Sequence, residues 1–298
     1  MKLITFMGTG PRYNTLYQWG DKRSETAHFS IALIEWLKPS EVLVMLTPEA
    51  KAHDNWQWLQ AWGQEHHVSI LPIDIPIGAT EDEQWQIFEA MTEKLEQSDR
   101  VISDITHGFR SLPVLALLAA LYLRVVKDIS LEYMLYGAYE ARDQSVTPNV
   151  APVIDMTGFL NLLDWVSGAE ELIYSGLSGR IAKLLSDKHK HLYTSKTGRP
   201  LFLSKTGGHL QAISSALQLA QPQMLAKTSE RLADSLSGAE QEAHWVKPFK
   251  TLIDKISEYY APFSSQDLIT QRQLVCHFKE RQQWVQAITL TREWLVSY

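Results

Sequence analysis

The chain has 298 residues, 45% of them hydrophobic and 21% charged, and a formal net charge of −6. Such a length buries a sizeable core as one large domain or two smaller ones. The negative balance excludes a global field that draws in nucleic acid, so a phosphate-bearing ligand has to be held by local geometry. Cys276, the single cysteine, excludes an intrachain disulfide and a multi-thiolate zinc site. The start, Met1 to Gly8, is too short and too soon interrupted for a signal peptide. The most apolar window, Leu112 to Val126, is broken by Arg124 and is too short to cross a bilayer, so a soluble cytoplasmic protein without membrane partners is expected.

In chain order, Lys2 to Met7 has a strand pattern that ends at Gly8-Thr9-Gly10. Ser24-Glu25-Thr26 is expected to begin a helix whose Ala27, Ile31, Ile34 and Leu37 share a face. Glu41 to Leu46 forms a second strand. Thr47-Pro48-Glu49 then offers a cap and a first-turn proline to a Trp-rich helix running to His66. A third strand, Val68 to Ile75, ends at Pro76-Ile77-Gly78, and Thr80 to Gln97 is the third helix. Val101 to Ile105 is a fourth strand, Leu112 to Val126 a fourth helix, and Ser130 to Leu135 a fifth strand closed by Tyr136-Gly137-Ala138. Pro152 to Met156 is expected to pair back as a sixth.

Strands alternating with helices predict an α/β fold with a mainly parallel sheet covered on both faces. Right-handed crossovers place the strands' C-terminal loops on one edge, rich in Gly and Thr. After about Thr157 the strand pattern stops. Phe159 to Leu172, Leu177 to Lys190, Leu210 to Ala220, Met224 to Ser235, Phe249 to Tyr260 and Gln283 to Val296 all have helical spacing, and Lys188 to Pro200 reads as an exposed linker or β-turn. The boundaries drawn are 1–157 for the α/β part and 158–298 for an all-α part.

The residues richest in chemistry lie between Val101 and Pro113. Strand, polar turn with glycine, then helix N-terminus is the order in which α/β proteins build an anion site. Thr106, His107, Gly108, Arg110 and Ser111 offer backbone N–H groups, hydroxyls, an imidazole and a guanidinium to one ligand. Asp104, inside the strand, costs free energy unless it accepts hydrogen bonds, so it is expected to brace the turn. Gly8-Thr9-Gly10 is either a tight turn or a loop approaching a phosphate, with Arg12, Tyr13 and Asn14 beyond it. The lack of a third glycine argues against a dinucleotide cofactor. Asp104, His107 and Ser111 are too close in sequence for a Ser–His–Asp relay. His66-His67 and His189/His191 make weak metal candidates, and no metal or cofactor is expected. Arg272 and His277 have the Arg-x4-His spacing of HEPN-type ribonucleases, a pattern of low specificity.

Asp104-Ile105-Thr106-His107-Gly108 resembles the signature of the CRISPR-associated D-x-T-H-G proteins. Phe6-Met7-Gly8-Thr9-Gly10, the Leu112 helix, Tyr136-Gly137-Ala138, Asp155-Met156-Thr157 and Leu163-Asp164-Trp165 recur in that family's order. The resemblance implies a Rossmann-like CARF domain over the first part. Such a domain binds cyclic oligoadenylate (tetra- or hexaadenylate), the second messenger of type III CRISPR defence, across a homodimer. The residues it singles out are Gly8, Thr9, Gly10, Thr47, Thr106, His107, Gly108, Arg110, Tyr136 and Gly137. The expected function is a sensor that relays binding to an effector domain. Two alternatives stay open: a ring nuclease that cleaves the activator, with Thr106 and His107 as catalytic candidates, and an activated HEPN ribonuclease using Arg272 and His277 on single-stranded RNA. Ala287 to Leu295 resembles the helix that precedes the family's nuclease motif, and the chain stops at Tyr298. That leaves either a sensor portion of a longer protein or a protein acting without that nuclease.

Overall fold

A computed structural model of the chain describes residues 1–108 and 111–297, and they divide into two compact units, one from Met1 to Gly158 and one from Phe159 onward. The first unit is built from β1 (Lys2–Phe6), β2 (Thr15–Trp19), β3 (Lys22–Thr26), α1 (Phe29–Leu37), β4 (Glu41–Leu46), α2 (Pro48–Ala52), α3 (Asp54–Glu65), β5 (Ile70–Asp74), α4 (Glu81–Lys94), β6 (Arg100–Asp104), α5 (Ser111–Val126), β7 (Ser130–Gly137) and β8 (Val150–Asp155). Among the described residues the eight strands form one mixed, mainly parallel sheet in the order β3-β2-β8-β7-β6-β1-β4-β5.

The five strands β5, β4, β1, β6 and β7 run parallel. From β1 the chain first crosses to the β2–β3 hairpin at the far edge, returns through α1 to lay β4 and β5 on one side of β1, and then adds β6 and β7 on the other. Among the parallel strands the order therefore reverses between β1 and β6, the place where such a sheet opens a crevice at the strands' C-terminal ends. Both faces of the sheet are covered. Phe29, Ala32 and Leu33 of α1 and Trp56 and Leu59 of α3 pack with Leu3, Val42, Val44 and Ile102 on one face. Ile87 and Met91 of α4 and Leu112, Ala116, Ala119 and Leu123 of α5 pack with Ile4, Leu43, Met45 and Val101 on the other.

Two local expectations are corrected. Ser24-Glu25-Thr26 does not start a helix but closes β3, hydrogen-bonded antiparallel to β2. Gly20, at φ +56, and Asp21 form a two-residue hairpin turn that keeps the strands in register, and α1 begins only at Phe29. The Trp-rich helix is two helices. His53 is extended between them, and its Nδ1 accepts the Asn55 N–H at 3.2 Å, recapping the chain as α3. Thr47 caps α2 with Pro48 in its first turn, as the sequence predicts.

The second unit is helical: α6 (Thr157–Ser175, beginning two residues before the boundary), α7 (Gly179–Thr194), α8 (Phe202–Gln218), α9 (Pro222–Gln241), the short α10 (Lys247–Lys250), α11 (Ile253–Tyr260), α12 (Leu268–Glu280) and α13 (Trp284–Ser297). Its core joins Trp165, Leu172, Leu185, Leu210, Ile213, Leu232, Phe249, Tyr260 and Phe278. Of the expected linker or turn at 188–200, residues 188–194 are instead the end of α7, because buried Leu192 continues that helix's inner stripe with Ile181 and Leu185; residues 195–200 are turn and irregular backbone. The sequence reading missed α12, whose polar run carries Arg272 and His277. Its start is set by the Asp267 carboxylate, which accepts the Thr270 N–H at 2.7 Å. Among the described residues no helix is long and apolar enough to cross a membrane.

Candidate functional site

The crevice between β1 and β6 is organised by one carboxylate. Asp104 ends β6 with no exposure to solvent. Its Oδ2 accepts the Thr5 hydroxyl of β1 at 2.7 Å, and its Oδ1 accepts the Thr106 N–H at 2.9 Å. The buried charge is thus hydrogen-bonded on both oxygens, which lets it stand inside the sheet and brace the turn after it. Thr106 passes the constraint on, because its hydroxyl oxygen accepts the Gly137 N–H at 2.9 Å and ties the end of β7 to the same turn. Among the described residues nothing accepts the hydroxyl's own proton.

His107 turns inward toward α1. Its Nε2 accepts the Phe29 N–H, at the start of α1, at 3.3 Å, and its ring stacks on His28 with centroids 3.9 Å apart. Burial lowers the pKa of His107 against the opposing pull of Asp104 and Glu140. Burial, and then the neighbouring His107, lowers that of His28 further. Both rings are therefore neutral at pH 7. Because Nε2 accepts, the His107 proton sits on Nδ1. The imidazole offers hydrogen bonds, not a positive charge.

The loop after β1 is held by Asn55 of α3. Its Nδ2 donates to the Gly8 carbonyl at 2.8 Å and the Gly10 carbonyl at 2.9 Å, while its Oδ1 accepts Arg12 Nη1 at 2.7 Å. The Arg12 guanidinium lies 5.1 Å from the Trp58 ring. The two loops come close together, since a Cβ on Gly8 would stand 3.2 Å from the His107 carbonyl oxygen. Between them is a recess of about 120 Å³ edged by Gly8, Thr9, Thr47, His107, Gly108 and Leu112. It has room for a phosphate-sized group only, so a larger ligand must lie across the open strand edge.

The remaining sequence candidates differ in their settings. Thr9, Gly10, Arg12, Asn14 and Ser111 are exposed, Ser111 as the first residue of α5. Thr47 is buried, and its hydroxyl accepts the Ala50 N–H at 3.3 Å as a cap. A Cβ on Gly108 would stand 3.2 to 3.4 Å from Phe6, Pro113 and Leu112. Tyr136 is half-buried and donates its hydroxyl to Glu140 at 2.7 Å; burial and that carboxylate push its pKa up to about 12. Arg110 lies outside the described residues. Sequence reasoning missed Thr5, His28 and Asn55, none of which belongs to a local motif.

Gly137 shows why glycine stands at the end of β7. A Cβ there would sit 2.7 Å from the Phe29 ring and 2.9 Å from Tyr17. Gly137→Ala is expected to destabilise the first unit by about 1–3 kcal/mol through overpacking, read as a lower urea midpoint. An unchanged midpoint would show that Phe29 yields freely.

Arg272 and His277 are five residues apart on α12, which places them about 140° around the helix. Arg272 is exposed, whereas His277 is buried with its ring against Tyr259, Phe263 and Phe278. Both edge a recess of about 420 Å³ with Arg281 and Glu280. Burial, and then Arg281, pushes the His277 pKa down to about 4, so its ring is neutral at pH 7.

Comparison with known proteins bears on the helical unit. The family model described as the second domain of CRISPR-associated protein MJ1674 matches residues 161–264. CRISPR-associated protein MJ1674 of Methanocaldococcus jannaschii is 28% identical over 121 residues, covering 40% of this chain and 19% of that relative. The match thus spans less than a fifth of the relative's length. Both findings make this chain similar to CRISPR-associated proteins, with the family-model match lying inside its helical unit.

Proposed function

We propose that the chain serves CRISPR defence as a CARF-type sensor that binds cyclic oligoadenylate across a homodimer. The observation that carries the reading is the Asp104–Thr106–Gly137 lock. It sets Thr106-His107-Gly108 against Gly8-Thr9-Gly10 at the point where strand order reverses. The edge presents backbone N–H groups, threonine hydroxyls and Arg12, which suit the phosphates and 2′-hydroxyls of a small RNA. The similarity of the helical unit to a CRISPR-associated second domain supports the setting.

Two observations support a second copy as partner. The recess holds only a fraction of a ring nucleotide, so a symmetric pair of edges gives a rotationally symmetric ligand what one edge lacks. In addition α5, which follows the site loop, exposes Val114, Leu118, Tyr122 and Val125 along one stripe, and Trp85 of α4 is exposed on the unit's same helical layer. An unpartnered apolar stripe of this kind marks a protein contact.

Calorimetry with cyclic tetra- and hexaadenylate tests the reading. One ring is expected to bind at a stoichiometry of one per two chains, and no heat from either ring with folded protein overturns it. The ring-nuclease alternative would have the Thr106 hydroxyl and the remaining Nδ1–H of neutral His107 orient a 2′-oxygen toward the adjoining phosphate. Chromatography after prolonged incubation decides that point, since an intact ring leaves a receptor alone.

A further inference from the structure

The strand edge carries a feature that neither the signature nor the phosphate recess uses. Tyr13, in the loop after β1, is 54% exposed, and its ring lies parallel to that of Tyr139, with 8° between planes and 5.7 Å between centroids. Tyr139 stands in the single turn Tyr139–Ala141 just after β7, so this stack joins the loop leading from β1 to β2 with the turn after β7. The Arg142 guanidinium packs 4.0 Å from the Tyr139 ring centroid, and its Nη1 donates to the Tyr139 carbonyl at 3.0 Å. Its Nε is buried and has no hydrogen-bond partner among the described residues. The neighbouring Glu140 is tied to the Tyr136 hydroxyl and lies within electrostatic reach of His107, which places the stack beside the site loop.

Tyr13 is also positioned firmly for a residue in an exposed loop. The Thr15 hydroxyl donates to its carbonyl at 3.1 Å, and Asn55 fixes the preceding glycines. A flat aromatic ring held parallel to a second ring, with more than half its surface in water, presents a face to a further planar group. Nucleobases are such groups. Every base has a π-face, and an electron-rich tyrosine stack with a guanidinium nearby favours the larger, more polarisable ring system of a purine.

We propose that Tyr13, stacked on Tyr139 and backed by Arg142, is the base-stacking platform of the site and gives it a preference for purine over pyrimidine rings. The proposal rests on the reading of this edge as an oligonucleotide receptor. It adds residues outside the resemblance, and it assigns base selection to a different part of the edge from phosphate binding.

The test uses the full chain with cyclic tetra- and hexaadenylates in which one adenine is replaced by 2-aminopurine, whose fluorescence falls when it stacks. The wild-type protein is expected to bind and quench the probe, and to prefer it over the cyclic uridylate of the same size. Tyr13→Leu should weaken binding by roughly 5- to 150-fold, the range for losing one base–aromatic stack, and should remove most of the quenching. Tyr13→Trp should keep both, and Tyr139→Leu should behave like Tyr13→Leu. Because Tyr13 is exposed, its variants should fold. If the wild-type protein binds and quenches but Tyr13→Leu and Tyr139→Leu do so equally well, the platform is wrong and the receptor reading stands. If the wild-type protein binds neither ring, the receptor reading itself fails.

Discussion

Asp104→Ala is expected to lower the stability of the sheet unit by about 2–5 kcal/mol and to abolish ligand binding. The substitution removes the acceptor of two groups at once. The Thr5 hydroxyl is fully buried and the Thr106 N–H is held in a closed turn, and leaving a buried donor unpaired costs about 1–3 kcal/mol each. The Thr106–Gly137 link depends on the same turn, so the recess between the two loops is expected to lose its shape as well. Asn at this position separates hydrogen bonding from charge. Its oxygen can accept from Thr106, and the Thr5 hydroxyl can turn to accept from its amide, so Asp104→Asn should cost only about 1 kcal/mol. Urea denaturation at pH 7.5 measures both. Equal losses for Asn and Ala would mean that charge, not hydrogen-bond geometry, is what the crevice requires.

Stability should also fall steeply on mild acidification. The unfolded imidazoles take up protons near their ordinary value of 6.5, while His28, His107 and His277 do so in the folded protein only at lower pH, near 4 for His277. Below pH 6.5 the unfolded state therefore binds more protons, so the stabilisation is complete above that value and lost as pH drops toward the folded ones. Between pH 7.5 and 5.5 His277 contributes about 1.4 kcal/mol of loss. The two stacked rings of the sheet unit add to it in the same direction. Asp104 and Glu140 hold His107 back from a deeper shift, whereas Arg281 deepens that of His277. Urea midpoints across this range provide the measurement. His28→Phe keeps a flat ring against His107 and removes a buried nitrogen that has no partner, so it should flatten the dependence by about one proton. An unchanged slope in that variant would place the linkage elsewhere.

What the sequence reveals of this site is local, and what it conceals depends on strand register. Asp104 in a strand announces a need for partners, and Thr106 supplies one two residues later. Its other partner, Thr5, becomes visible only when β1 and β6 are laid side by side in register, with Ile4 opposite Ser103. Asn55 is 45 residues from Gly10 and has no pattern of its own, yet its amide shapes the glycine loop. His28 and His107 meet across 79 positions because the start of α1 is placed under the β6 loop. The order of strands and helices was readable from hydrophobic periodicity through most of the sheet. The β2–β3 hairpin was hidden because Ser24-Glu25-Thr26 also has the composition of a helix start. The α12 helix was hidden because its polar residues outnumber its inward ones.

The Asn55 clamp has a consequence for how fast and how tightly a ligand is taken up. Its amide is engaged entirely by the protein's own groups, the Gly8 and Gly10 carbonyls and the Arg12 guanidinium. The glycine loop is therefore already in one conformation when a ligand arrives, and the entropy of ordering it falls on folding, not on association. Encounter with this loop is then a docking event that needs no loop closure, so differences in affinity among related ligands would appear mainly in how slowly they leave.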